Sequence, residues 1–462
     1  MDKEPTAAKH QSRFRAAAWF TSTLALAFLA IQFIRPELSN PPVAADLQAP
    51  PQVKQILKNS CYNCHSNETK LSWFDKPSPA YWLVARDVNA ARKHINFSEI
   101  GKLSAGQQRA ALFEGVFQVS FGAMPLPRYR LLHPGSTVTP EQLNILKQYL
   151  QSTTPNEPAT PAAINSAEVQ YNEWIQVGAA TQSVAPAPNG IAFLPDYKNW
   201  KAISSTNRFD NGTIRFVLGN DVAVKAIAEN HINPWPDGAA FAKVAWLQQP
   251  DEKGFVRSGS FFQVEFMIRD TRKYAGTLGW GWARWRGTDL KPYGKDANFT
   301  SECVGCHAPL SHTDYVFTKP IPLQLWNPSA SQGAAALPGN PLQWKVITSA
   351  IDKADSTMST LYGNDVAVDY ARKNSQHNYP AGSILSLVTW AQREDDRWFG
   401  ARIPGEVKSA EYVLVNAAPD GRPSYSYSKY EGAQPTKAAA YEGATPNDRA
   451  SYLLMQRAAV IP

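Results

Sequence analysis

Cysteine is scarce, with four in 462 residues. A disulfide-stapled scaffold is excluded for a chain of this size. Charge of one sign is also lacking: 46 Lys and Arg face 39 Asp and Glu, a net +7. No Lys/Arg cluster interleaves with aromatics, so the chain does not read as a nucleic-acid binder, and its charge bears on solubility and partner choice. Methionine numbers only five. What is plentiful is aromatic surface, with 14 Trp, 18 Tyr and 20 Phe. The length predicts about three domains, each with material for a core.

The four cysteines fall into one pattern used twice: Cys61-Tyr62-Asn63-Cys64-His65 and Cys303-Val304-Gly305-Cys306-His307. Two thiols three apart on a helical turn face the same way and can each bond a vinyl group of one haem. The histidine that follows then reaches the iron. A redox dithiol or half of a zinc site would use similar spacing. Two matches that exhaust the cysteines predict two covalently attached c-type haems, with His65 and His307 as iron ligands. Such attachment needs reduced thiols and haem outside the cytoplasm, so a periplasmic location is expected.

Ala16 to Ile34 is a run of 19 residues without a charge. Its length predicts a transmembrane helix. Lys3, Lys9, Arg13 and Arg15 precede it, which would keep the N-terminus inside. A cleaved signal peptide, with Val43-Ala44-Ala45 as exit, is the competing reading. The run exceeds a usual signal core. The expectation is therefore a retained anchor over residues 1–38 in the cytoplasmic membrane, with the bulk of the chain in the periplasm.

Residues 39–152 read as a small all-α, cytochrome-c-like domain. Val53, Ile56 and Leu57 have helical spacing ahead of Cys61. Helical patterns recur over 81–93 and 107–119. A rigid Gly122-Ala123-Met124-Pro125-Leu126-Pro127 loop follows, and Thr139-Pro140-Glu141 opens a closing helix. Met124 is the candidate distal ligand, since a thioether closes the sixth position of a haem. A core methionine is the plainer reading. His94 and His133 are rival ligands, each read as a surface or capping residue. On CYNCHSNET, WLVARDVN, NFSE and GAMPLPRYRLLHP, residues 47–150 resemble a bacterial haem-binding domain family. The resemblance implies one c-type haem and electron transfer.

Residues 153–190 read as a Pro-rich linker and a short helix. Beyond them the chain repeats itself. Trp200-Lys201 recurs as Trp344-Lys345, and Gly219–Val224 recurs letter for letter as Gly363–Val368. Pro236-Asp237-Gly238 is echoed by Pro380-Ala381-Gly382, and Trp246 by Trp390, all at one offset of 144. A constant offset predicts a duplicated domain. Each copy reads as strands, a short helix and long antiparallel strands, over 191–325 and 326–462. The fold class expected is thus a multidomain chain: transmembrane helix, all-α domain, then two tandem mainly antiparallel β domains.

The copies differ at the motif. The second has no cysteine, and Leu387 replaces Lys243. Phe241, Lys243 and Ala245 share a strand face, so an ammonium lies on an otherwise apolar inner face only in the copy with Cys303–His307. A strand-end lysine snorkelling to water is the plainer alternative. Glu265 aligns with Glu411 and reads as structural.

On WPDG with Lys243 five positions after its glycine, the Trp280–Trp285 strand, CVGCH and Thr313–Thr318, residues 194–320 resemble the cytochrome P-460 family. Residues 338–462 resemble it without the haem motif. The resemblance implies a five-coordinate c-type haem, a lysine bonded to the porphyrin edge, for which Lys243 is the candidate, oxidation of hydroxylamine or binding of nitric oxide, and homodimers. The second copy would then serve as an internal pseudo-dimer partner. Family members place a carboxylate beside the distal pocket. After His307 this chain offers Ser311 and His312, with Asp314 the nearest acid, as catalytic candidates, and that argues against turnover. The reading is a dihaem cytochrome. One haem transfers electrons to a membrane or periplasmic partner, and the other binds or oxidises a small nitrogen species. A pure electron carrier and a nitric oxide-binding protein without turnover are the alternatives.

Overall fold

The computed structural model describes residues 6–155, 157–177, 183–325, 337–417, 423–432, 436–440 and 443–462. The chain forms two compact units, residues 1–153 and 154–462.

The first unit is helical: α1 (Thr6–Ile31), α2 (Pro51–Ser60), α3 (Tyr62–His65), α4 (Ala80–His94), α5 (Ala105–Ser120), α6 (Pro127–Leu132) and α7 (Pro140–Ser152). The sequence caps several of these ends. Ser104 and Thr139 each close a capping box with a glutamine three residues on, Gln107 and Gln142. Val53, Ile56 and Leu57 bury one face of α2, and Phe113, Phe117, Leu146 and Leu150 bury those of α5 and α7.

The membrane anchor expected over Ala16–Ile34 is corrected. Among the described residues no helix is long and apolar enough to cross a membrane. Helix α1 stops at Ile31 because Gln32 turns aside: its amide nitrogen donates to Ser78 O at 3.0 Å and its amide oxygen accepts from Ser78 N at 2.8 Å. The uncharged helical stretch, Ala16–Ile31, therefore spans about 24 Å at 1.5 Å per residue, short of a hydrocarbon core of about 30 Å. Thr21, Ser22 and Thr23 dilute it further. The localisation built on that anchor falls with it. Lys3 of the expected basic flank lies outside the described residues.

The second unit opens with α8 (Pro161–Val177) and then builds on β1 (Lys201–Arg208), β2 (Thr213–Gly219), α9 (Asp221–Ala228), β3 (Ala240–Pro250), β4 (Phe255–Arg269), β5 (Trp280–Arg286), β6 (Lys291–Pro292) and α10 (Thr300–His307). The second copy supplies β7 (Lys345–Asp352), β8 (Thr357–Gly363), α11 (Asp365–Lys373), β9 (Ile384–Glu394), β10 (Ala401–Ala417), β11 (Pro423–Glu431), β12 (Thr436–Ala438) and α12 (Pro446–Leu454).

Two tandem β domains were the expectation, and this too is corrected. Strands run β1-β2-β3-β4-β7-β8-β9-β10, and β10 pairs back onto β1, so both copies together close one eight-stranded antiparallel barrel. The seams are short: Phe255–Arg257 pairs with Ala350–Asp352, and Asn207–Arg208 with Ala401–Arg402. Strands β4 and β10 are long, 15 and 17 residues. Register shifts in their pairing with β3 and β9 let each bend out of the barrel, where it pairs with β5 or β11 instead. Closure leaves the barrel no open edges.

Period-two alternation divides the side chains. Phe216, Val244, Trp246, Phe266 and Trp285 of the first copy pack with Met358, Val388, Trp390 and Tyr412 of the second in one shared core inside the ring. The alternate residues face outward and are covered by helices, α9 and α10 on the first copy and α11 and α12 on the second. The repeated Gly-Asn-Asp explains itself here. Asn220 Oδ1 accepts from Ala223 N at 3.0 Å and starts α9, and its Nδ2 donates to Gly238 O at 2.8 Å. Asn364 repeats both bonds, to Ala367 and Gly382, at the same lengths. Gly238 and Gly382 sit at φ +90 and +87, the left-handed region that spares only glycine a steric cost.

Candidate functional site

In the first unit, Cys61 ends α2 and Cys64 and His65 lie on the short α3. His65 Nδ1 donates to Ile95 O at 3.2 Å, so that Nε2 is the ring nitrogen that would ligate. Burial lowers the His65 pKa, favouring the neutral imidazole that binds iron. Met124 follows α5 on a turn fixed by bonds from Ala123 N and Met124 N to Gln118 O, at 3.0 and 3.2 Å. Its side chain is half-buried. The rivals are placed elsewhere. His94 is exposed at the end of α4, and His133 Nε2 is held by the buried Asp75 carboxylate at 3.0 Å.

In the second unit, α10 carries Cys303, Cys306 and His307. His307 is wedged between Trp282 and Phe317, ring centres 4.3 and 4.6 Å away. Its Nδ1 donates to Tyr315 O at 2.7 Å, and burial pushes its pKa down to about 4. Burial pushes the Cys61 thiol up to about 12 and the Cys64 and Cys303 thiols up to about 11. A redox dithiol or a zinc ligand needs the opposite, a stabilised thiolate. Among the described residues no three His, Cys, Asp or Glu side chains converge as a metal-ion cluster. Both motifs thus fit thioether attachment of haem, with His65 and His307 as the ligating imidazoles.

Lys243 lies on the outward face of β3, not on the inner one expected, and so faces α10. Directly opposite on β4 is Glu265, and opposite that on β5 is Arg284. Lys243 Nζ is 2.7 Å from Glu265 Oε2, Arg284 Nε is 3.6 Å from Oε1, and Gln263 Nε2 also donates to Oε1. Burial works to raise the Glu265 carboxyl, but Arg284, Lys243 and Arg215 outweigh it and hold it well below the usual range. Burial lowers Lys243 against the pull of Glu265. Both charges are felt at Cys303 and His307. The carboxylate of this site is therefore Glu265, which sequence reasoning set aside as scaffold. The signal that finds it is cross-strand register.

The candidates after His307 are not gathered there. Ser311 and His312 are exposed. Asp314, at φ 52, turns its buried carboxylate to Arg269 Nη2 at 3.1 Å and Trp235 N at 2.9 Å, as a brace for the loop.

Residues 26–152 match a haem-binding domain, and residues 194–318 and 341–445 match cytochrome P460 in two copies. The chain is a haem protein. Its barrel is made of two cytochrome P460 domains. No curated protein matches it.

The second P460 domain shows what fills the space without a haem motif. Helices α10 and α12 begin at Thr300 and Pro446, 146 apart, the spacing that also separates Glu265 from Glu411. At that spacing Arg449, Tyr452 and Leu453 stand for Cys303, Cys306 and His307. Leu453 and Leu454 fill an apolar cluster with Leu387. Arg449 clamps the fully buried Glu411 with two bonds, 2.8 and 2.7 Å, and Tyr427 Oη donates a third at 2.7 Å. The sequence signal for this helix is the Thr445–Asp448 capping box. Arg449→Ala strands a buried carboxylate and is expected to destabilise the barrel by about 3 kcal/mol. A urea titration followed by tryptophan fluorescence checks it; an unmoved midpoint would show that the clamp is dispensable.

Proposed function

We propose that the chain is a dihaem c-type cytochrome with divided labour. The haem on Cys61, Cys64 and His65, closed by Met124, carries electrons to a redox partner. The haem on Cys303, Cys306 and His307 leaves one face open to a small nitrogen species such as hydroxylamine or nitric oxide, which it binds or oxidises. Bound haem supplies a redox iron with an exchangeable position. The protein's own groups do the rest. His307, neutral and locked by Tyr315 O, offers Nε2 to the metal. Lys243 would face the haem edge, its ammonium held by the Glu265 carboxylate at 2.7 Å. Glu265 stays ionised and orients it. The second P460 domain acts as a built-in partner, a reading supported by the two strand seams.

The half-buried Lys243–Glu265–Arg284 row beside His307 carries this reading, because the domain without the haem motif has Leu387, Glu411 and Lys429 in those places. An electron carrier with two closed haems has no use for the row. Nitric oxide capture without turnover stays the second reading, because Glu265 is taken up by Lys243, Arg284 and Gln263 rather than free to act as a base. Peptide mass spectrometry should find haem on both motif peptides, and carbon monoxide should shift one of two ferrous haem spectra. Two haems that both ignore carbon monoxide would establish the carrier instead.

A further inference from the structure

The two P460 domains use the same hairpin at the two barrel seams, but at different lengths. Between β3 and β4 it reads Asp251-Glu252-Lys253-Gly254, and between β9 and β10 Asp395-Asp396-Arg397-Trp398-Phe399-Gly400. Both turns open alike: Asp251 Oδ1 accepts from Lys253 N, and Asp395 Oδ1 from Arg397 N, each at 2.9 Å. Both closing glycines meet the other domain, Gly254 O accepting from Lys353 N at 3.3 Å and Gly400 O from Asp210 N at 3.2 Å. The short hairpin serves the domain without a haem motif. The long one crosses to the domain that has it.

The extra length is spent on the segment behind His307. Arg397 Nη1 donates to Val316 O at 3.2 Å and to Thr318 O at 3.0 Å. Trp398 stands edge-on to Phe317, ring centres 5.3 Å apart, and Phe317 stands edge-on to His307 at 4.6 Å. The indole is itself fixed from the first domain. Its Nε1 donates to Asp210 Oδ2 at 3.0 Å, and the Arg208 guanidinium lies 4.1 Å over its ring. Lys319 and Asp396 pair at the rim, 3.5 Å apart. The hairpin thus grips Val316–Thr318 by its carbonyls and by its ring, directly after Tyr315, whose carbonyl accepts the hydrogen bond from His307 Nδ1.

We propose that Arg397 and Trp398 of the haem-less domain are positioning residues for the proximal histidine of the other. This rests on the reading that His307 ligates haem iron. By holding 315–318 they keep the 2.7 Å bond from His307 Nδ1 to Tyr315 O short. A proton shared with a carbonyl makes the imidazole a stronger donor and favours the ferric state.

The test is a redox titration of the full haem-loaded chain with Trp398→Ala and, separately, Arg397→Ala, whose side-chain bonds among the described residues go to the carbonyls of 316–318. In both, the midpoint of the second haem should move positive while that of the first stays put. Amide exchange of a 313–319 peptide should quicken. Trp398→Phe, which keeps an edge against Phe317, should return the midpoint toward wild type. A loaded chain whose second midpoint is unmoved in both alanine variants overturns the positioning role alone. A wild-type Cys303–His307 peptide without haem mass overturns the ligation reading, and this proposal with it.

Discussion

If Lys243 bonds to the porphyrin edge, as the cytochrome P-460 resemblance implies, the ferrous spectrum of the second haem is red-shifted, and with Lys243 replaced by leucine it is expected to fall back to that of an ordinary high-spin c-type haem. The substitution is one the protein already tolerates, since Leu387 holds the matching place on β9 at 9% exposure. It removes the ammonium whose charge is felt at Cys303 and His307 and leaves the strand otherwise intact. Glu265 does not become an orphan. Arg284 Nε is buried without a hydrogen-bond partner and only 3.6 Å away, so a small rotation gives the carboxylate a new donor. The stability cost is therefore about 1 kcal/mol, below the 3–5 kcal/mol typical of breaking an isolated buried pair. Activity toward hydroxylamine should drop at least tenfold, about 1.4 kcal/mol of barrier. A variant whose spectrum overlays the wild type would remove Lys243 from the site.

Met124→Ala is expected to act on the other haem alone. Its high-spin fraction rises and it begins to bind carbon monoxide, because neither rival histidine is placed to replace the thioether. His133 is occupied by Asp75 and stacked on Tyr129 at 3.9 Å, and His94 faces solvent. Loss of the thioether also lowers the potential of this haem, since methionine ligation raises it. Electron transfer to an external acceptor should slow, while carbon monoxide binding at the second haem is unchanged. A low-spin variant spectrum would mean that a different side chain closes the site.

What could be read in the sequence was local. The haem motifs, the helices of the first unit and the repeated Asn220 and Asn364 caps are set by residues within a turn or two of each other. What could not be read was set by partners far along the chain. Nothing in β1 or β10 says that Asn207 will pair with Arg402, so the two copies read as separate domains rather than one ring. Glu265 was set aside because Glu411 repeats it, yet the two carboxylates have different partners, Lys243 and Arg284 in one domain and Arg449 and Tyr427 in the other. Asp314 was the nearest acid in sequence, but a positive φ turns it to Arg269. The apolar run at the N-terminus was measured in residues, whereas its helix ends where Gln32 finds Ser78.

The ring also has a consequence for inheritance. In a dimer of identical chains, any change at one site appears at both, so a longer hairpin or an arginine in place of a haem cysteine would be imposed twice. Once the two copies share one continuous backbone and one barrel, each can drift by itself, yet neither can be discarded. Removing either one exposes two strand edges and halves the shared core. The copy that lacks the cofactor motif is thus bound to the fold, and it can be reshaped to serve its neighbour.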